Sequence, residues 1–114
     1  VDLVEECQRI GATLISDEIY HGLEFGAPAA SALEVTADAI VINSFSKYYC
    51  MTGWRIGWMV VPERLMPTVE RLTQNLFICA PHVSQVAALY TLVVGSAAAI
   101  GPLKPAVDEG PESN

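Results

Sequence analysis

Short apolar runs, each closed by a polar cluster, organise most of this chain. Leu3, Val4, Cys7 and Ile10 recur at helical spacing and Gly11 follows, which predicts a short helix that stops there. Residues 12–16 (ATLIS) then read as a strand ending at Asp17-Glu18-Ile19-Tyr20, before a loop marked by Gly22, Gly26 and Pro28. Residues 39–43 (AIVIN) are a second apolar run, too short for a helix, which ends at Ser44-Phe45-Ser46-Lys47. Residues 55–61 (RIGWMVV) give a third strand, stopped by Pro62. Continuous rather than alternating apolar character is the pattern of strands covered on both faces, and it predicts an α/β fold with three mostly buried strands and flanking helices. Seven residues separate Lys47 from Arg55. A parallel crossover needs about a dozen, so a third strand paired with its predecessor should run antiparallel.

Beyond Pro62 the period becomes helical. Leu65, Val69, Leu72, Leu76 and Phe77 fall near one face, with Pro67 breaking the first turn or opening a new helix. After Pro81, the residues Val83, Val86, Ala87, Tyr90, Val93 and Val94 make an apolar stripe at helical spacing. From Gly95 the periodicity ends. The chain therefore divides into one folded unit, residues 1–94, and a Pro/Gly-rich acidic stretch, residues 95–114, expected to be disordered.

Composition changes this picture in one respect. With 114 residues the chain is long enough for one small domain, yet 52% of it is apolar and only 17% charged. So small a unit should need more polar covering, which suggests that part of its surface expects to be covered. The net charge of −7 comes without a basic patch, so nucleic acid is not an expected partner. No run is long enough to span a bilayer, so no membrane association is expected, and the acidic first residues have no signal-peptide pattern. The first residue is Val rather than Met, which suggests a fragment or a processed product. Cys7, Cys50 and Cys79 form no C-x-x-C pair, so free thiols in a reducing, cytoplasmic setting are expected rather than disulfides or a metal site.

The polar clusters at the strand ends carry the chemistry. Ligands of open α/β sheets gather outside the carboxyl ends of the strands, where Asp17 and Lys47 both fall. If the link after Lys47 folds back, Arg55 opens the third strand on the same side. Arg55 can grip a phosphate in bidentate fashion, and Ser44 and Ser46 can donate to it. Lys47 can serve as an amine nucleophile toward a carbonyl, and an ionised Asp17 can hold a protonated ring nitrogen. Taken singly, each has a plainer reading: a lysine at a strand end is usually solvated, an Asp-Glu pair usually caps a helix, and an arginine often makes a structural ion pair. The combination, with Gly53 and Gly57 flanking Arg55, favours a site.

Ser44-Phe45-Ser46-Lys47 followed by Met51-Thr52-Gly53-Trp54-Arg55-Ile56-Gly57 resembles the cofactor-lysine motif of the class I/II aminotransferases, the aspartate-aminotransferase-like enzymes of fold type I. Asp17-Glu18-Ile19-Tyr20 resembles the segment of that family that contacts the cofactor ring, and the two arrive in the family's order. The resemblance covers residues 1–94. It implies part of the three-layer α/β/α large domain, pyridoxal 5′-phosphate as cofactor, and transfer of an amino group from an amino acid to a 2-oxo acid. It implies that Lys47 forms the Schiff base and then moves the substrate proton, that Asp17 pairs with the pyridinium nitrogen, and that Tyr20 bonds the 3-hydroxyl oxygen. Ser44 and Arg55 match the phosphate ligands, and Ser46 is a further candidate. Glu18 is read as positioning the loop, and His21, Tyr48, Tyr49, Trp54 and Trp58 as packing residues, with Tyr48 and Tyr49 also candidates for the pocket mouth.

The same resemblance marks what these residues do not contain: the family's Gly/Ser phosphate loop, the asparagine that joins the tyrosine, the arginine that takes the substrate carboxylate, and the segments a homodimer partner contributes. An incomplete chain with little activity of its own is the resulting expectation. A non-catalytic remnant, an aminotransferase-like regulatory domain and a lyase or synthase of the same fold remain the alternatives.

Overall fold

The computed structural model of the protein describes residues 2–98. Helix α1 (Asp2–Ile10) leads to strand β1 (Ile15–Asp17), then β2 (Ile40–Ser44) and β3 (Gly57–Val60), followed by α2 (Met66–Leu76) and α3 (His82–Ala98). Single 3-10 turns stand at Ala32–Glu34, Thr52–Trp54 and Glu63–Leu65. Helix α1 stops where the apolar period stops. Beyond it the Ala12 N–H reaches back to the Cys7 carbonyl at 2.8 Å, closing the last turn. Pro67 opens α2 rather than breaking it, because a proline in the first turn sacrifices no intrahelical bond.

The sheet order is β1-β2-β3. β1 and β2 are parallel, with Asp17 opposite Ile42, and β3 is antiparallel to β2, with Gly57 opposite Ser44. The short link therefore does fold back. Gly57 permits it: a Cβ there would lie 2.6 Å from the Asn43 carbonyl oxygen, so a larger residue would push β3 away from β2 at the site edge.

Burial is less complete than continuous apolar runs predict. Of the strand residues only Val41 is buried, and all four residues of β3 are exposed. The compact centre is instead Phe45, Met51 and Ala88, with Tyr49, Ile56 and Ala87 packed around it. The helix stripe is also turned. Among the α3 residues whose burial is described, the buried positions are Ser84 and Ala88, while Val83, Val86, Tyr90, Val93 and Val94 are exposed. Helix α3 continues through Gly95 to Ala98, beyond the expected end of the folded unit. The remainder of the expected disordered stretch, residues 99–114, lies outside the described residues. No helix among the described residues is long and apolar enough to cross a membrane.

Candidate active site

Parallel pairing puts the carboxyl ends of β1 and β2 at one edge, and Asp17 and Ser44 are their last residues. Asp17 is exposed, and its Oδ1 accepts the Ile19 N–H at 3.3 Å. The Glu18 N–H still donates to the Ile42 carbonyl at 2.8 Å, after which the chain turns through His21 N–H to Glu18 carbonyl (3.0 Å) and leaves Tyr20 exposed.

Glu18 points the other way and is buried, only 4% exposed. Its Oε1 accepts from the Ala32 N–H at 2.8 Å and from the Ser16 and Ser31 hydroxyls at 3.1 Å each. His21 Nδ1 lies 3.4 Å from Oε2. Burial pushes the carboxyl pKa up, but the Ala32 N–H, the Ser31 and Ser16 hydroxyls and nearby His21 together outweigh it and hold the value below normal.

The segment from Ser44 to Arg55 is stapled along its length. The Phe45 N–H donates to the Ile56 carbonyl (3.2 Å), the Met51 N–H to the Phe45 carbonyl (3.0 Å) and the Cys50 N–H to the Lys47 carbonyl (2.9 Å). The Thr52 hydroxyl donates to the Ser46 carbonyl at 2.7 Å. Phe45 anchors it, with its ring 4.9 Å from that of Tyr49 and 5.1 Å from that of Trp58. Cys50 and Arg55 both have positive φ, 55° and 51°. Left-handed backbone costs a non-glycine residue about 1–2 kcal/mol, so the surrounding bonds hold this loop in a shape it would not adopt alone.

Within that loop the two serines are side by side. Ser44 Oγ accepts the Ser46 N–H at 3.0 Å and lies 2.9 Å from Ser46 Oγ and 3.3 Å from the Ile56 carbonyl oxygen. Having one proton, it donates to one of these two at a time, which leaves a hydroxyl donor easily redirected. Lys47 is half-buried, with Nζ 5.4 Å from the centre of the Tyr20 ring, within cation–π reach. Arg55 does not open β3, as the pattern suggested. It precedes the strand by two residues as the left-handed cap of the Thr52–Trp54 turn, and its guanidinium donates to the Thr52 carbonyl at 3.0 Å.

The fold thus joins Tyr20 to Lys47 and Ser44 to Ser46, and brings the Arg55 backbone next to Ser44 through Ile56. Among the described residues, Asp17 makes no hydrogen bond or ion pair with Lys47, and the guanidinium makes none with either serine. Two further residues shape the site. Thr52 ties the loop back on itself, and the Tyr48 ring sits so close to Gly22 that a Cβ there would lie 2.6 Å from it. Thr52 was visible in the sequence only as part of the motif around Arg55. The contact at Gly22 joins residues far apart in sequence, and no local pattern reports it.

With the geometry in place, comparison with known proteins is decisive: aminotransferase class I and II matches residues 1–93. This chain belongs to that family. Its fold is that of a part of the α/β large domain of the fold-type-I aminotransferases, and members of the family depend on pyridoxal phosphate. The chain is 53% identical over 85 residues to the valine–pyruvate aminotransferase of Mycobacterium tuberculosis, covering 73% of this chain and 22% of that protein. It is 48% identical over 79 residues to the (5-formylfuran-3-yl)methyl phosphate transaminase of Methanocaldococcus jannaschii, covering 67% and 21%. The crystal structure of the aspartate aminotransferase of Thermotoga maritima superposes with a TM-score of 0.76 at 32% identity, over 86% of this chain and 27% of that one. The chain spans about a quarter of the length of the relatives it matches.

Proposed function

We propose that this aminotransferase chain carries the cofactor-lysine segment of an enzyme that moves an amino group from an amino acid to a 2-oxo acid. The observation that carries the reading is the half-buried Lys47 amine facing the Tyr20 ring, at the sheet edge where Asp17 and Ser44 end their strands. The donor set fits pyridoxal phosphate. Two neighbouring hydroxyls and a guanidinium on one stapled loop suit a phosphate, a carboxylate on the adjacent strand suits a protonated ring nitrogen, and an amine on the same loop suits an aldehyde. When bound, the cofactor supplies that aldehyde and an electron-withdrawing ring.

On this reading Lys47 would hold the cofactor covalently, and its freed amine would carry a proton from the substrate α-carbon to the carbon that had been the cofactor aldehyde. Asp17 holds the proton on the ring nitrogen. Tyr20 donates to the ring hydroxyl oxygen, and Ser44, Ser46 and Arg55 bind the phosphate. The Phe45 anchor and the Thr52 bond keep the loop in place while Lys47 moves. A homodimer in the cytoplasm, acting on small amino and 2-oxo acids, is the setting the family resemblance supports. Because the chain spans about a quarter of its relatives, the 114 residues alone are expected to bind the cofactor weakly and to turn over little substrate.

Borohydride reduction of the complete gene product with pyridoxal phosphate, followed by peptide mapping, tests the assignment. Label on Lys47 alone, absent in Lys47→Ala, is the expected result. Label on another lysine, or none, overturns it.

A further inference from the structure

Tyr20 owes its position to a turn that is held from two sides. On one side Glu18, directly after β1, gathers three segments on its carboxylate: Ser16 in β1, His21 in the turn, and the Ser31–Glu34 cap. That cap is itself closed reciprocally, with the Ser31 hydroxyl taking the Leu33 N–H at 3.3 Å and Glu34 taking the Ser31 N–H at 3.0 Å. On the other side the Tyr48 ring rests on Gly22, whose φ of 89° and lack of a side chain allow the approach. Tyr20 lies between these two fixings, and the chain next to Tyr48 is Lys47. A carboxylate so deeply buried, with its hydrogen bonds directed at the backbone and side chains that frame one turn, is placed to set geometry, and those bonds reach neither the Lys47 amine nor Ser44 and Ser46.

We infer that Glu18 is a positioning residue that holds the Glu18–Gly22 turn so that Tyr20 faces the Lys47 amine. The inference rests on the functional reading above, in which Tyr20 donates a hydrogen bond to the ring oxygen of the cofactor. A hydroxyl that donates to an oxyanion favours the anion, so its loss raises the pH at which the visible band of the loaded protein changes. If Glu18 acts through Tyr20, removing it must move the same midpoint in the same direction, and must do nothing once Tyr20 is gone.

The experiment measures that midpoint, and the dissociation constant for pyridoxal phosphate, in the complete gene product. Tyr20→Phe is expected to raise the midpoint by about one unit, and Glu18→Ala by about half as much. The double variant is expected to match Tyr20→Phe alone. Glu18→Gln keeps one carbonyl oxygen for the Ala32 N–H and the two serines, so it should return the midpoint to within a few tenths of wild type. Cofactor affinity should fall about tenfold in Glu18→Ala and less than threefold in Glu18→Gln. Ser31→Ala removes one donor without unfolding the turn, and should give a smaller shift of the same sign. Amide hydrogen exchange over residues 19–23 should quicken in both alanine variants without cofactor. Additive shifts in the double variant overturn the inference. So does an unmoved midpoint in Ser31→Ala together with an unmoved or unobtainable Glu18→Ala. Wild-type protein that borohydride does not label at Lys47 overturns the functional reading instead. Labelled wild type with additive shifts leaves that reading standing and removes only the role of Glu18.

Discussion

The two faces of α3 are built from opposite materials. The face turned to the lysine loop is small and partly polar: Ser84 is 3% and Ala88 6% exposed, and Ser84 donates to the Trp54 carbonyl at 2.7 Å. Thr91 lies one turn further on, 3.3 Å from the Met51 sulfur. The face turned away carries the bulk, with Leu89 64% and Tyr90 70% exposed beside Val83, Val86 and Val93. The difference separates two kinds of dependence. Small residues let the helix approach the bulky Phe45 and Met51, and a hydroxyl satisfies a carbonyl that the Thr52–Trp54 turn leaves free, so the lysine loop is supported from within these residues. The outer stripe is largely exposed among the described residues, and a continuous apolar stripe of that kind calls for another surface.

The largest test of this contrast falls on the anchor. Phe45→Ala removes the ring that Tyr49, Trp58, Met51 and Ala88 enclose, and should cost about 3–5 kcal/mol in urea unfolding. A loss below about 1 kcal/mol would mean that the loop is not self-supporting. Ser84→Ala comes next. It removes the donor of the Trp54 carbonyl in a part-buried hydrogen bond, and about 0.5–1.5 kcal/mol should be lost. A neutral result would place water at that carbonyl and weaken the claim that the inner face is chosen for its fit.

Acid sensitivity follows in size and extends the contrast to the turn after β1. Glu18 holds its carboxyl pKa below the ordinary value of 4.5 in the folded chain. A lowered carboxylate pKa gives stability that is fully present above the unfolded value and is lost as pH falls through the folded one. Unfolding free energy should therefore drop below about pH 4.5 in wild type and drop less steeply in Glu18→Gln, as thermal melts between pH 3 and 6 would record. Equal slopes would deny Glu18 any linkage to folding.

Much of the frame was legible in the sequence. Apolar runs closed by polar clusters located all three strands, and the seven-residue link required β3 to run antiparallel. Gly11 ended α1, and the lysine and arginine motifs share the one loop between β2 and β3. Three things were not legible, for separate reasons. Periodicity finds a stripe on a helix but not the partner it faces, so the stripe through Val83, Val86, Ala87, Tyr90, Val93 and Val94 met the compact centre at Ala87, while Ser84 and Ala88 beside it are the buried positions. Continuous apolar strands report the covering they are suited to, and β3 is exposed along its whole length in these residues. Arg55 adopts left-handed backbone without being glycine or asparagine, so nothing in its identity separated it from the strand that follows.

The smallest predicted effect bears most directly on the outer stripe. Leu89→Ser replaces a large exposed side chain on α3 with a small polar one of poorer helix propensity. In the 114-residue chain no enclosed contact is lost, so the change in stability should stay within about 0.5 kcal/mol. Wherever another surface covers the stripe, the same substitution buries a hydroxyl and empties the space of a leucine, and about 2–5 kcal/mol should be lost. The pair of measurements, on the short chain and on the complete gene product, separates a stripe that waits for a cover from one that is merely exposed. Equal small effects in both would mean that nothing covers Leu89. A large effect in the short chain would mean that α3 already buries this face there, and the two faces would no longer differ as the structure has them.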